Sequence, residues 1–448
     1  MTRKRFYSLF SMRLISIVAL WIGISNSLAY AQTTIDTILS NQILFDNNQL
    51  SIQPVLNQSW DFQHKKNCLT IQGAFYNQSN AVNTQVAHAL LFNSFIDETI
   101  KERTFKKLRT TNGYEDEARW SLQYGHYSPK LKLAYFFHYT YRNMRQMVFN
   151  KESFEFVFAG NKMFEGDTIS INDLQFRYVA YNQLQFGLSK TITKANHRVV
   201  IGAAISVLQS PQYLHLSADR SSIYTAPYGE YLDVKYNMQA EQANNGAPEF
   251  FSFKGTGMSA DMHVSYQKNQ NWMLRFNVFD VGFIKYSNEI NSYKGDSAIK
   301  FEGIVIDNIL NFTTPTIFKD FKSDSLFKIL NIENSKKSFI YIHPVTFQLC
   351  FSKSIIHNKG MISIGIQHKT QSKYYPYVWS KFSYACKHHF VPSVSVGFGG
   401  YSYYNLGIDL TKRIRICDVS IGSTNILGLF IPQHFTSSSL YFRASFVF

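Results

Sequence analysis

The chain has 448 residues, of which 45% are hydrophobic, 16% aromatic and 17% charged, with a formal net charge of +15. The charged share lies below the roughly 25% of soluble domains, the wealth of Phe and Tyr argues against disorder, and a mean hydropathy of −0.17 argues against a bundle of membrane helices. What survives is a β-rich chain with much apolar surface and no long apolar run beyond its N-terminus.

The first element is an export signal. Arg3, Lys4, Arg5 and Arg13 form a basic region, residues 14–24 an apolar core, and Ala29-Tyr30-Ala31 a small-x-small cleavage site before Gln32. The apolar core is short for a membrane span of about 20 residues. The expected organisation is a signal peptide over 1–31 and one domain over 32–448. Cleavage removes four basic and no acidic residues, so the net charge falls from +15 to +11. That excess is diffuse. A nucleic-acid partner requires a clustered basic patch, and none is present.

The rest of the chain alternates with period two, the mark of strands with two unlike faces. In Leu131–Arg142 every odd position is large and apolar or aromatic, while the even ones include Lys132, His138, Thr140 and Arg142. Similar runs lie at 120–124, 184–188, 199–207, 232–239, 258–266 and 272–278, and through 345–351, 362–366, 378–384, 394–398, 406–410 and 440–448. With its flanking residues each run is about 8–12 residues long, the length of a tilted strand crossing a bilayer. In hydrocarbon every backbone polar group must be paired, so such a sheet must close on itself. The expected fold is all-β: an outer-membrane barrel of about fourteen antiparallel strands, with twelve to sixteen allowed. Tyr and Trp near strand ends (Tyr124, Tyr127, Tyr139, Tyr141, Trp272, Tyr374, Tyr375, Tyr377, Trp379, Tyr401, Tyr403 and Tyr404) read as head-group girdles. The intervals 77–118, 143–172, 240–255 and 286–339 read as long loops or a partial plug, with local helices expected after Ser94 and over 323–330.

The search for chemistry returns little. There is no HExxH helix and no GxxxxGK[ST] loop. His388-His389 on a strand would point to opposite faces. Cys68, Cys350, Cys386 and Cys417 stand far apart, outside metal-ligand spacing; they read as small apolar side chains, with one disulfide left open and no pair singled out. His138, His197, His263 and Ser265 read as lumen or turn residues. No enzyme, catalytic residue, cofactor or metal is expected.

The most specific signal is the final run. Leu440, Phe442, Ala444, Phe446 and Phe448 share one face of a strand with an aromatic end. It is similar to the recognition strand by which outer-membrane barrels are captured through edge pairing with the assembly machinery. A second resemblance lies in the middle of the chain. Phe158-Ala159-Gly160-Asn161, Gly166-Asp167-Thr168-Ile169, Gly255-Thr256-Gly257-Met258-Ser259-Ala260-Asp261 and Phe279-Asp280-Val281-Gly282-Phe283-Ile284 resemble, in this order, domain-of-unknown-function family number 5723, a group of Bacteroidota outer-membrane proteins. His263 stands where that family usually has glycine, and Tyr286 where tryptophan is common. The resemblance implies a barrel and a location, not a reaction; a looser similarity extends to fatty-acid-transporter-like and type IX secretion barrels. Gly255, Gly257 and Gly282 read as turns or as sites where an aromatic lies over backbone, and Asp261 and Asp280 as turn caps, with a lumenal position as the alternative.

The leading expectation is a channel or transporter for small or hydrophobic solutes. The alternatives are a structural or assembly component of a secretion or surface-anchoring system and, more remotely, an outer-membrane lipid hydrolase. Expected partners are outer-membrane lipid and lipopolysaccharide, the barrel-assembly machinery and envelope proteins. Removal of Phe448 should lower the fraction of chain recovered in the outer membrane; undiminished insertion of the shortened chain would remove the assembly role of this strand.

Overall fold

The computed structural model describes residues 67–92, 94–243, 253–268, 271–302, 331–356, 359–370, 373–414 and 416–448. Ala29, Ala31 and Gln32 of the export signal, and the helix expected over 323–330, lie outside them. In chain order the strands are β1 (Asn67–Ser79), β2 (Thr111–Ser128), β3 (Leu133–Asn150), β4 (Thr168–Ser170), β5 (Leu174–Lys194) and β6 (His197–Thr225). Then follow β7 (Leu232–Ala243), β8 (Gly255–Lys268), β9 (Trp272–Phe301), β10 (Ile332–Ile342), β11 (Thr346–Ile355) and β12 (Gly360–Lys369). The last five are β13 (Tyr375–Tyr384), β14 (Phe390–Gly400), β15 (Tyr404–Ile414), β16 (Cys417–Ser423) and β17 (Ser437–Val447). Helices α1 (Thr84–Leu91), α2 (Glu98–Phe105), α3 (Lys151–Ala159) and α4 (Leu427–Phe430) lie between them. Among the described residues no helix is long and apolar enough to cross a membrane.

All seventeen strands join one sheet. Three do not add a lane of their own. β4 continues β5 along β6. β7 and β8 lie in series between β6 and β9. β10 and β11 lie in series along the other edge of β9. Seventeen strands therefore fill fourteen lanes, the number expected, and antiparallel pairing of β1 with both β17 and β2 closes the ring. Closure leaves β17 paired on both edges. Leu440, Phe442 and Phe448 are exposed and Ala444 is buried.

The two ends differ. The turns β2–β3, β5–β6, β8–β9, β11–β12, β13–β14 and β15–β16 hold at most five residues each, and Asn67 and Phe448 exchange backbone hydrogen bonds at that same end. The long connections 80–110, 151–167 and 424–436 lie at the other end. Bacterial membrane barrels show this asymmetry, with short periplasmic turns and long outer loops.

The wall sorts its side chains by parity. In β3, Tyr135, Phe137, Tyr139 and Tyr141 face outwards, while Ala134, Phe136, His138, Thr140 and Arg142 are buried inside. The outer face continues round the ring through exposed Leu184, Ile205, Phe276, Phe351, Ile364, Val396, Leu410 and Phe442. Soluble monomers expose apolar patches of a few hundred Å² at most, so a belt closed on all sides needs lipid against it.

Four readings change. Tyr127, Tyr374, Tyr377, Trp379 and Tyr401 are not girdle residues: they are buried in the barrel, and for Tyr377, Trp379 and Tyr401 a glycine on another strand vacates the space. A Cβ on Gly365 would lie 2.5 Å from the Trp379 ring, and one on Gly255 2.6 Å from that of Tyr286. The girdle that does form includes Trp120 with Tyr139 (ring centroids 5.2 Å apart) at the long-loop end and Tyr266 with Trp272 (5.3 Å) at the short-turn end. Residues 111–118, 143–150, 286–301 and 332–339, expected in loops, extend β2, β3, β9 and β10 beyond the belt. The helix expected after Ser94 exists as α2, but Asp97 caps it, accepting from the Ile100 N–H at 2.8 Å. Asp261 and Asp280 cap no turn. Both face the lumen at a bulge where β8 and β9 slip register, and the Asp261 carboxylate accepts from Gln185 (2.7 Å) and from the Asp280 N–H (2.8 Å). Asp280 sits there at φ 64°, a conformation that costs a non-glycine residue of order 1–3 kcal/mol unless its surroundings hold it.

Gly365→Val should force the β12 backbone or the Trp379 ring aside and lower unfolding stability by roughly 1–3 kcal/mol, read as a shifted urea midpoint in lipid; an unchanged midpoint would show that the ring has room to move.

Candidate functional site

Two regions of this wall carry chemistry, one on each face. The lumenal region is a network of ion pairs rooted on β2. Glu117 binds Arg119 (2.6 Å) and Arg142 of β3 (3.0 Å), and Arg142 reaches Asp280 of β9 at 2.7 Å. Glu115 binds Lys369 of β12 at 2.6 Å, and the Tyr76 hydroxyl touches Glu115 (2.6 Å), Glu117 (2.7 Å) and Lys369 (3.0 Å). Buried charges hold only when paired in this way. In the order of lanes, β12 lies seven places from β2 in a ring of fourteen. The Lys369–Glu115 bond thus joins opposite walls, and Arg142–Asp280 joins lanes four apart. The barrel section is pinched at this level, and the lumen is crossed in two directions. Nearer β15 and β16, Lys381–Asp409 (3.0 Å) and Arg413–Asp418 (2.5 Å) neutralise further buried charge.

Above the bulge the lumen fills with rings. Tyr213, Tyr286 and Phe339 lie 4.8–4.9 Å apart by centroid, with Tyr341 beside them. Tyr286 closes the group through a 2.7 Å bond to Ser210.

The second region is an apolar cavity of about 920 Å³ at the long-loop end. Its strand residues include Tyr114, Met147, Phe149, Leu174, Phe176, Leu216, Met238, Ala240, Tyr293 and Ile299, and its roof comes from α1 and α3 through Leu90, Leu91, Phe154 and Phe156–Phe158. Register tells which face this is. β2, β3 and β5 pair without a shift, so Tyr114 shares the face of Trp120 and Leu122, Met147 that of Phe137 and Tyr139, and Phe176 that of Leu184. β6 carries one extra residue between Gln209 and Gln212, which moves its outward parity from Ile205 and Val207 to Leu216 and Ala218. β7 and β9 follow through Leu216↔Ala240↔Tyr293. The cavity therefore lies on the outer face of the wall, above the lipid belt, with its back to the lumen.

Caps fix the roof. Asn83 caps α1 through the Val86 N–H and also bonds Thr104 of α2; Asn150 caps α3 through the Ser153 N–H and reaches the Ser170 carbonyl. Phe149, Phe154 and Phe158 stack at 5.3 and 4.4 Å and pin α3 to β3. One ion pair interrupts the apolar lining: Arg145 Nε donates to Asp116 Oδ1 at 2.9 Å, with Asp116 buried and the Arg145 side chain 38% exposed.

The histidines weighed from sequence are structural here. His138 bonds Gln185 and Thr140, His263 bonds Asn277 at 2.6 Å, and His197 bonds Tyr266 at 2.6 Å; Ser265 is buried on the inner face of β8. The four cysteines are free. The sequence reading missed Glu115, Lys369 and Arg145. Alternation marks a charged residue as inward or outward but does not say which opposite strand it meets.

No match is found among curated protein sequences. Among solved structures, the toluene transporter TodX of P. putida is similar at 6% identity and a TM-score of 0.44, over 86% of this chain and 90% of that one. A FadL homologue of Pseudomonas aeruginosa is similar at 8% identity and 0.40, over 85% and 89%. The translocator domain of the autotransporter NalP from Neisseria meningitidis is similar at 6% identity and 0.35, over 87% and 91%. Similarity at this depth says nothing of what this chain handles. A family model matches residues 61–423, most of the sequence, and the chain belongs to that family, a family of unknown function, DUF5723.

Proposed function

We propose that this protein is an outer-membrane transport barrel that loads a hydrophobic solute into the apolar cavity at its long-loop end. The cavity carries the reading. Its volume is that of a small-molecule site, and its wall would gain roughly 25 cal/mol per Å² of apolar surface it covers. Location follows from the closed apolar belt and the asymmetric loops, which put the short turns in the periplasm and the cavity outside. The bonds across the lumen argue against a standing aqueous pore, so hydrophobic cargo, not water and ions, is the natural load. No catalytic step enters this reading.

Two measurements test it. Ala240→Trp projects into the cavity from an otherwise unchanged strand. It should weaken binding of an apolar fluorescent probe by the full chain in vesicles at least about tenfold, or about 1.4 kcal/mol; unchanged affinity would place the site elsewhere. Vesicles carrying the wild-type chain should remain tight to small ions. Glu115→Gln or Lys369→Met should raise the leak several-fold and lower stability by roughly 3–5 kcal/mol, since either strands a buried charge. The double exchange Glu115→Lys with Lys369→Glu should restore tightness. A wild-type chain that conducts freely would show that these pairs do not seal the barrel.

A further inference from the structure

The cavity and the lipid belt share the outward face of the same strands. The Asp116↔Arg145 pair stands four residues above Trp120↔Tyr141 on the same strands, or about 14 Å along them. Trp120 and its tyrosine neighbours sit where aromatic rings meet head groups. The lower edge of the cavity thus stands above this girdle on the same outward face, with Ala118 and Asn143 between them.

Its form is that of a trough. From Asp116 on β2 to Ile332 on β10, both in the lining, the sheet takes six steps between neighbouring strands, roughly 29 Å of wall. That length suits a chain better than a compact molecule. At the β2 end the lining changes character, because Arg145 spends only its Nε on Asp116. Its two Nη groups make no hydrogen bond among the described residues and stand at the edge of an apolar surface. A guanidinium fork so placed is suited to a phosphate or ester oxygen.

We infer that the cavity is a docking site for a lipid of the surrounding outer leaflet, its acyl chain laid along the trough and an oxygen of its head group held by Arg145. The inference rests on the transport reading and narrows it: the cargo enters sideways from the membrane, not from the lumen. Entry by this path leaves the lumenal bonds intact.

The test uses the full chain in vesicles that contain a phospholipid with a photoreactive diazirine in its acyl chain, with adducts mapped by mass spectrometry. Adducts are expected on Met147, Phe149 and Met238 in the cavity as well as on Leu122 and Phe137 of the belt. Arg145→Met should lower the cavity adducts several-fold, Arg145→Lys should lower them less, and Ala240→Trp should remove them. Belt adducts, unchanged throughout, report correct insertion. A wild-type chain labelled on the belt and not in the cavity overturns the inference whatever the variants do. If the apolar probe still binds in that case, the transport reading stands and only the source of its cargo is wrong. If neither probe nor lipid enters, both fall together.

Discussion

The governing constraint is that a backbone surrounded by hydrocarbon must pair all its N–H and C=O groups within the sheet. Antiparallel closure of β1 on both β17 and β2 meets it. Once the sheet is a ring, each residue of a wall strand has two choices only, towards lipid or towards the lumen. The apolar belt and the polar interior are then one decision read from two sides. The departures from plain alternation matter for the same reason. One extra residue in β6 and one bulge at Asp261 and Asp280 reset which parity faces out.

A ring of fourteen lanes encloses more space than its own small side chains fill. Two devices occupy it. Large rings from one strand lie over glycines of the next, as Trp379 does over Gly365 and Tyr286 over Gly255. Charged side chains meet across the barrel, as Lys369 and Glu115 do. Buried pairs of this kind are weak sources of net stability against an apolar alternative, and strong sources of loss when one partner goes. Their value here is positional: they hold opposite walls at a fixed distance.

Much of this was legible in the sequence, and for one reason. Period-two alternation reports a two-faced strand directly, so Leu131–Arg142 and its companions revealed the strands, their number and their closure. What alternation lacks is the third dimension. It could not tell a girdle tyrosine from a lumenal one: Tyr375 and Tyr377 share a parity, yet a register shift between Tyr375 and Val378 leaves the first exposed and the second buried over Gly397. It could not find Lys369–Glu115, since the partners lie 254 positions apart. It also placed the upper parts of β2, β3 and β9 in loops. There the strands rise beyond the lipid, and their faces are no longer sorted by it.

The outer-face position of the cavity ties these points together. Above the belt, residues of lipid-facing parity meet no lipid. Tyr114, Met147, Phe149 and Leu174 would be an apolar patch in water had the connections after β1 and β3 not folded back as α1, α2 and α3 to cover them. Cover is incomplete, and the part left over is the cavity. The same parity that puts oil on the wall inside the membrane thus supplies an apolar trough above it, roofed by α1 and α3. A lumenal pocket would have had to be carved out of polar, ion-paired surroundings; this one follows from running the membrane's own side-chain pattern a few residues further up the strands.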